Sequence, residues 1–248
     1  MKRAFLLLAS IFVCMTAMPV FSSEVDRIGT AVKVGNDRGD SALASGKSVA
    51  SISQGDCKYS LALLENQHVQ FHSPDAVFLE SKIIPKDEYW PHLVQAEMSA
   101  GYDWSFKENN NFKSKWFGLM CESAENFGLL RSDQSKSAGG DSPELQFVKE
   151  ANDLKCPATL TEKGWVPNVN AGRPEDYVFR KLSGANWSGF MFGFKSENRG
   201  SMSRINFCLV HDGDVLLGSA ISNSKPSWID EKAFEEIEST LRTVTFTP

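Results

Sequence analysis

A chain of 248 residues with 42% hydrophobic and 11% aromatic content can bury a sizeable core, which excludes wholesale disorder. Its formal charge of −5 comes without a basic stripe. Nucleic acid is therefore disfavoured as a partner, because its phosphates must be met by clustered Lys and Arg.

The chain opens like an export signal. Lys2 and Arg3 precede an apolar run at 4–13, and Val20-Phe21-Ser22 offers a cleavage site. Thr16 and Pro19 break the run before it reaches the roughly 20 residues of a membrane span. Residues 1–22 are expected to be a signal peptide, the mature protein to be periplasmic or secreted, and no transmembrane segment to remain after cleavage. Residues 23–55 are rich in Ser, Gly, Ala and Asp with almost no aromatic side chain. They read as a flexible leader, with a short strand at 28–34.

Strands are expected at 57–65, 69–72 and 75–84. Pro85 is placed for the first position of a helix over 86–100, with Tyr89, Leu93 and Ala96 as its apolar stripe. Two more strands follow, at 104–106 and 116–121. The run 131–142 holds no large apolar residue and reads as a linker between an N-terminal α+β lobe (56–130) and a C-terminal one (143–248).

Ser142-Pro143 then caps a helix whose apolar face is Phe147, Val148, Ala151 and Leu154. An irregular stretch around 165–174 leads into strands at 177–182, 189–195, 204–210 and 215–221. The last two flank His211-Asp212-Gly213-Asp214, a hairpin composition. Ser227 is expected to cap a final helix with Phe234, Ile237 and Leu241 buried, and 243–246 to close the sheet. The expected fold class is α+β, mostly antiparallel with a few packing helices, in an order compatible with two similar lobes.

Cysteine usage fits export. Cys14 leaves with the signal, and Cys57, Cys121, Cys156 and Cys208 remain. None of them has the close spacing of a zinc or redox motif, so an even set in an oxidising compartment reads as two disulfides with three possible connectivities. Cys57–Cys121 with Cys156–Cys208 is preferred because each bridge stays on one side of the 131–142 run.

No constellation marks a reaction. His68 and His72 share a strand face with Gln70 between them, but no third metal ligand accompanies them, and they read as surface histidines. His92 and His211 sit in turn-like contexts. The serines lack a nucleophile elbow, and no phosphate-cradling glycine loop occurs. No catalytic, cofactor-binding or metal residue is assigned. Trp165 and Trp187 lie in Gly- and Asn-rich surroundings; they are expected to be exposed and to serve as partner-binding anchors.

The segments FCLVHDGDVLLGSAI (207–221) and FEEIESTLRTVTF (234–246) give a strand with a cysteine, an Asp-Gly hairpin, a strand, an acidic helix and a closing strand. In that order the C-terminal part resembles exported bacterial proteins of PsbP-like α+β fold, among them periplasmic immunity proteins against type VI secretion effectors. The resemblance implies a non-catalytic protein that binds and inhibits a secreted toxic effector, so the expected partner is a protein. A small-ligand or envelope-component binding module is the alternative, and a hydrolase with an unrecognised site stands third.

Overall fold

The computed structural model describes residues 31–35, 43–72, 74–98, 101–109, 112–130, 142–197, 200–224 and 227–247. The expected signal peptide, much of the expected leader and nearly all of the 131–142 run lie outside them. Sixteen strands and two α-helices are present among the described residues. The helices are α1 (Pro143–Lys155) and α2 (Glu231–Leu241).

The centre is an eight-stranded antiparallel sheet. In spatial order it runs β12 (Tyr177–Ser183), β13 (Ser188–Lys195), β14 (Met202–His211), β15 (Asp214–Ile221), β9 (Lys115–Ser123), β6 (Ala76–Glu80), β5 (Gln67–Phe71) and β2 (Leu43–Ser45). The two halves of the sequence meet at the β15–β9 pairing, from Asp214↔Ser123 to Ser219↔Gly118. They share this sheet and the packing on each of its faces, and separate lobes are not seen among the described residues.

The strands of the centre are apolar at successive positions, not at alternate ones. FGLM in β9, FMFG in β13 and FCL in β14 are buried run by run, the pattern of a sheet covered on both faces. Phe117, Leu119, Phe207, Leu209 and Leu216 face one cluster. It is completed by β3 (Ser48–Gln54), β4 (Cys57–Leu63), α2 and β16 (Thr245–Phe246). Trp116, Met120, Phe190, Cys208 and Leu217 face the other. That side is closed by β8 (Gly101–Lys107), the end of α1 and the hairpin of β10 (Ala158–Thr161) with β11 (Gly164–Pro167). Gly118 is needed in β9 because the Phe106 ring of β8 lies where a Cβ would stand.

Each disulfide ties one cover to the sheet. Cys57–Cys121 links β4 to β9, and Cys156–Cys208 links the residue after α1 to β14, which is the expected pairing.

Several expected elements differ. Leu43–Ser45 and Ser48–Gln54, read as leader, are β2 and β3; their small residues Ala44 and Ala50 are fully buried, so the lack of aromatics did not mean a lack of core. The helix over 86–100 is a short 3-10 turn at Asp87–Tyr89 followed by β7 (His92–Met98), which pairs with β8 from His92↔Lys107 to Met98↔Gly101. The i, i+4, i+7 spacing of Tyr89, Leu93 and Ala96 was a coincidence that hairpin pairing overrides.

On α1, Ser142 does cap through Leu145 N–H at 3.2 Å, but Leu154 is exposed and Asn152 and Asp153 are buried instead. Asn152 accepts from Trp104 Nε1 at 3.0 Å and donates to Asn126 O; Asp153 accepts from the Gly128 and Leu129 amides. Asp230, not Ser227, caps α2, accepting from Ala233 N–H at 2.7 Å. The closing strand β16 pairs with β4, not with the large sheet. The start of the 165–174 stretch expected to be irregular belongs to β11, which pairs with β10 as a hairpin over 158–167.

The sequence separations of the bridged cysteines, 64 and 52, set their effect on the unfolded chain. Replacing Cys57 and Cys121 together by serine is expected to lower the unfolding free energy by about 4 kcal/mol, measured by urea denaturation, with a similar loss for Cys156 and Cys208.

Candidate binding surface

At the β2–β5 end of the large sheet, β6 ends at Glu80 and the chain crosses back over the sheet face as residues 81–91 before entering β7. Pro85 and Pro91 disfavour helix for the residues before them, and the loop is held instead by individual contacts. Ser81 N–H donates to Asn66 O at 2.9 Å, and the Ser81 hydroxyl donates to Ile83 O at 2.8 Å. Gln70 Nε2 donates to Asp87 Oδ1 at 3.2 Å, and Asn109 Nδ2 to Glu88 O at 2.9 Å. Trp90 is the anchor: its indole is 1% exposed and donates to Pro85 O at 3.2 Å.

Between these points the loop shows apolar side chains to water. Ile83 is 78% exposed, and Ile84 and Tyr89 are exposed beside it. The Ser81–Asn66 bond brings alongside the turn that carries exposed Leu64. Apolar groups displayed by a loop with its backbone fixed bind without a large ordering cost. Ile83, Ile84 and Leu64 were not singled out by sequence reasoning, and Tyr89 was placed on the apolar stripe of the expected helix rather than on a surface. The signal was there in Ile83-Ile84-Pro85, an apolar pair forced to be extended by the following proline.

Trp165 and Trp187, expected as exposed anchors, are buried at 3% and 5%. Trp165 donates to Ser188 Oγ at 3.1 Å, and its ring packs on Phe190. Trp187 donates to Val244 O at 2.7 Å and lies over Gly184. Both indoles are core pieces whose small neighbours make room for them, and neither is part of an open surface.

Beneath the loop lies a polar row. His68 and Gln70 share one face of β5, with His72 just beyond its end and Asp75 after the turn. His68, read as a surface residue, is 6% exposed; Gln70 and Asp75 are equally enclosed. His92 is exposed, and His211 closes β14 with its ring stacked on Phe246. His68 and His72 are four residues apart on an extended strand, roughly 13 Å, too far to share an ion. No group of three or more His, Cys, Asp or Glu among the described residues is placed to hold a metal. Of the seven buried side-chain atoms without a hydrogen-bond partner among the described residues, five belong here: Ser45 Oγ, His68 Nδ1, Gln70 Oε1, His72 Nε2 and Asp75 Oδ2.

Burial pushes the Asp75 carboxyl above the usual carboxylate range; the charge of His72 and the hydrogen bond from the Leu93 amide oppose it. Elsewhere, a recess of about 450 Å³ is lined by Val178, Lys195, Glu197, Met202 and Glu231. No helix among the described residues is long and apolar enough to cross a membrane.

Comparison with protein-family models, with curated proteins and with solved structures gave no match.

Truncating the anchor and changing the tip should separate stability from surface. Trp90→Ala is expected to cost about 3–5 kcal/mol in urea denaturation, whereas Ile83→Asp should change stability by no more than about 0.5 kcal/mol. Asp75 gives a pH signature. Its folded pKa is raised, so ionisation is harder in the native state, and its contribution falls as pH rises from about 4 upward through the raised value. Asp75→Asn should therefore be at its least favourable relative to the parent at pH 4 and gain on it toward pH 7, as followed by thermal melts across that range.

Proposed function

We propose that the protein is an exported, non-catalytic protein-binding protein that acts as a periplasmic immunity protein, inhibiting a secreted toxic effector. The observation that carries the binding part is the loop at 81–91, immobilised by buried Trp90 and a set of hydrogen bonds while it holds Ile83, Ile84 and Tyr89 in water. A hydrogen-bonded loop with exposed apolar side chains suits contact with a partner's apolar surface, with aromatic and aliphatic groups as its energetic centre. Two disulfides tying both covers to the sheet fit an oxidising compartment. The inhibitory role comes from the resemblance of segments 207–221 and 234–246 to periplasmic immunity proteins.

A second reading, small-ligand binding, is favoured by the recess beside Glu231, whose size of about 450 Å³ is within the range of small-molecule sites.

The deciding measurement is capture from envelope and secreted extracts of the source by residues 23–248, disulfides intact, in parallel with the Ile83→Asp/Tyr89→Ala variant. Recovery of one secreted toxin in one-to-one ratio, inhibited on binding and lost with the variant, is the expected result. Equal recovery by both proteins, or none by either while both are folded by circular dichroism, would overturn the protein-binding reading.

A further inference from the structure

We propose that β12 is a docking edge for an extended acidic segment of another polypeptide, which adds to the eight-stranded sheet as a further strand.

The pairing of β12 with β13 fixes which of its backbone groups are used. Gly184 N–H donates to Trp187 O at 3.0 Å, so that pair is a bonded one. Bonded and non-bonded pairs alternate along an antiparallel ladder. In the register Val178↔Gly193, Arg180↔Met191 and Leu182↔Gly189, it is therefore Val178, Arg180 and Leu182 that turn N–H and C=O toward β13. Tyr177, Phe179, Lys181 and Ser183 turn theirs outward. Among the described residues no strand lies on that side, because β12 ends the sheet. The outward carbonyls of Phe179 and Lys181 are met by guanidiniums, Arg180 Nη1 at 3.4 Å and Arg242 Nη2 at 3.3 Å. The outward amides of the same two residues find no acceptor among the described residues. This is a strand edge with donors to offer.

The side chains along the edge are unfinished in the same way. Tyr177, Val178 and Phe179 pack against the two core clusters, yet all three stay half-buried. The face that carries Val178 opens on the recess of about 450 Å³, lined also by Met202, Lys195 and Glu231. In a strand paired with β12, the residue opposite Val178 projects from that same face. It has the recess to enter, and such pockets are what make strand addition selective for side chains.

Charge decides the occupant. Arg180 and Lys181 are exposed on opposite faces of β12, and Lys181 Nζ donates to the carbonyl of exposed Lys163 at 2.9 Å. Nearby carboxylates are engaged elsewhere: Glu238 pairs with Arg242, and Glu175 and Asp176 with Arg173. Glu162, exposed beside Lys163, offsets one of the three cations. Exposed cations on an edge repel unselected strands, and here they admit an acidic one. Pairing along the whole of β12 with a second copy would centre on Arg180 and set Arg180 against Arg180. An acidic segment instead meets a cation on each face. The edge lies at the opposite end of the sheet from β5 and the 81–91 loop, so the proposal does not rest on the reading of that loop.

The test uses residues 23–248 with disulfides intact and two blocked peptides, TVEEVLT and TVKKVLT. Antiparallel to β12, the first sets its acids opposite Lys181 and Arg180 and its leucine opposite Val178. At roughly ten times its dissociation constant, it is expected to slow hydrogen exchange of the Phe179 and Lys181 amides about tenfold. Amides of β5 should not change, and the lysine peptide should not bind. Arg180→Glu/Lys181→Glu should reverse the preference between the peptides. Lys181→Pro, which removes an outward N–H and no bond to β13, should abolish binding of either. If Lys181→Pro misfolds, the exchange maps of the parent and the charge-reversed variant carry the test. No binding of the acidic peptide up to about 1 mM, binding that leaves Phe179 and Lys181 amides unprotected, or equal affinity for both peptides would each overturn the proposal. Protection of those amides that grows with protein concentration and needs no peptide would overturn it in favour of a second copy. Ile83→Asp/Tyr89→Ala should bind the acidic peptide as the parent does; loss of binding there would place the peptide on the 81–91 loop and overturn the proposal.

Discussion

An antiparallel sheet with apolar side chains on both faces has to be covered twice, and the rest of the chain follows from that demand. Eight strands from both halves of the sequence meet at β9–β15, each of their faces carrying Phe, Leu or Trp. Exposing either face would forfeit roughly 25 cal/mol for each Å² of apolar surface left in water. The β3–β4 hairpin, α2 and β16 close one side; the β7–β8 hairpin, α1 and the β10–β11 hairpin close the other. The disulfides sit where cover meets sheet, one per face. Each restricts the unfolded chain over a long loop and adds a covalent tie to a cover that otherwise meets the sheet through side-chain packing and a few hydrogen bonds, such as Gln54 Nε2 to Leu119 O and Asn206 Nδ2 to Lys155 O.

The covers are not uniformly apolar, and the polar places differ in how completely they are satisfied. Under α1, the buried Asn152 and Asp153 find an indole N–H, a backbone carbonyl and two backbone amides, which leaves α1 well registered on the chain it covers. Under the 81–91 loop, His68, Gln70, His72 and Asp75 each retain an unpartnered atom. An unpartnered buried polar group costs about 1–3 kcal/mol, so this seat is poorer than the α1 seat even though Trp90 anchors it.

Much of the element order was legible from residues alone, and the failures have physical causes. Continuous apolar runs placed β9, β13, β14 and β15 because strands buried on both faces leave no gaps in the pattern. Asp212-Gly213 placed the hairpin between β14 and β15, Asp212 taking the left-handed conformation with φ of 47° that Asp tolerates. The leader was misread because burial of Ala44, Ala50 and Ile52 depends on close approach of strands, which small residues permit and composition does not record. The helix over 86–100 was misread because a stripe at i, i+4 and i+7 does not say whether its members are buried; Tyr89 faces water. Trp165 and Trp187 were misassigned for the converse reason. Glycine neighbours suggested an open loop, whereas Gly184 is there to let the Trp187 indole lie against the backbone.

The sequence by itself determined the class of fold, the identity of the central strands and the number of cysteines available to bridge, since these depend on local periodicity, turn chemistry and composition. Only the tertiary structure decided which strands are neighbours, that the two halves share one sheet, and which aromatic residues are core. It alone put Ile83, Ile84 and Tyr89 in water above a buried histidine, because exposure is a property of what packs on a residue and not of the residue. His68 and Ser81 lie thirteen positions apart with no local pattern linking them, and their bond exists because the chain leaving β6 turns back across β5.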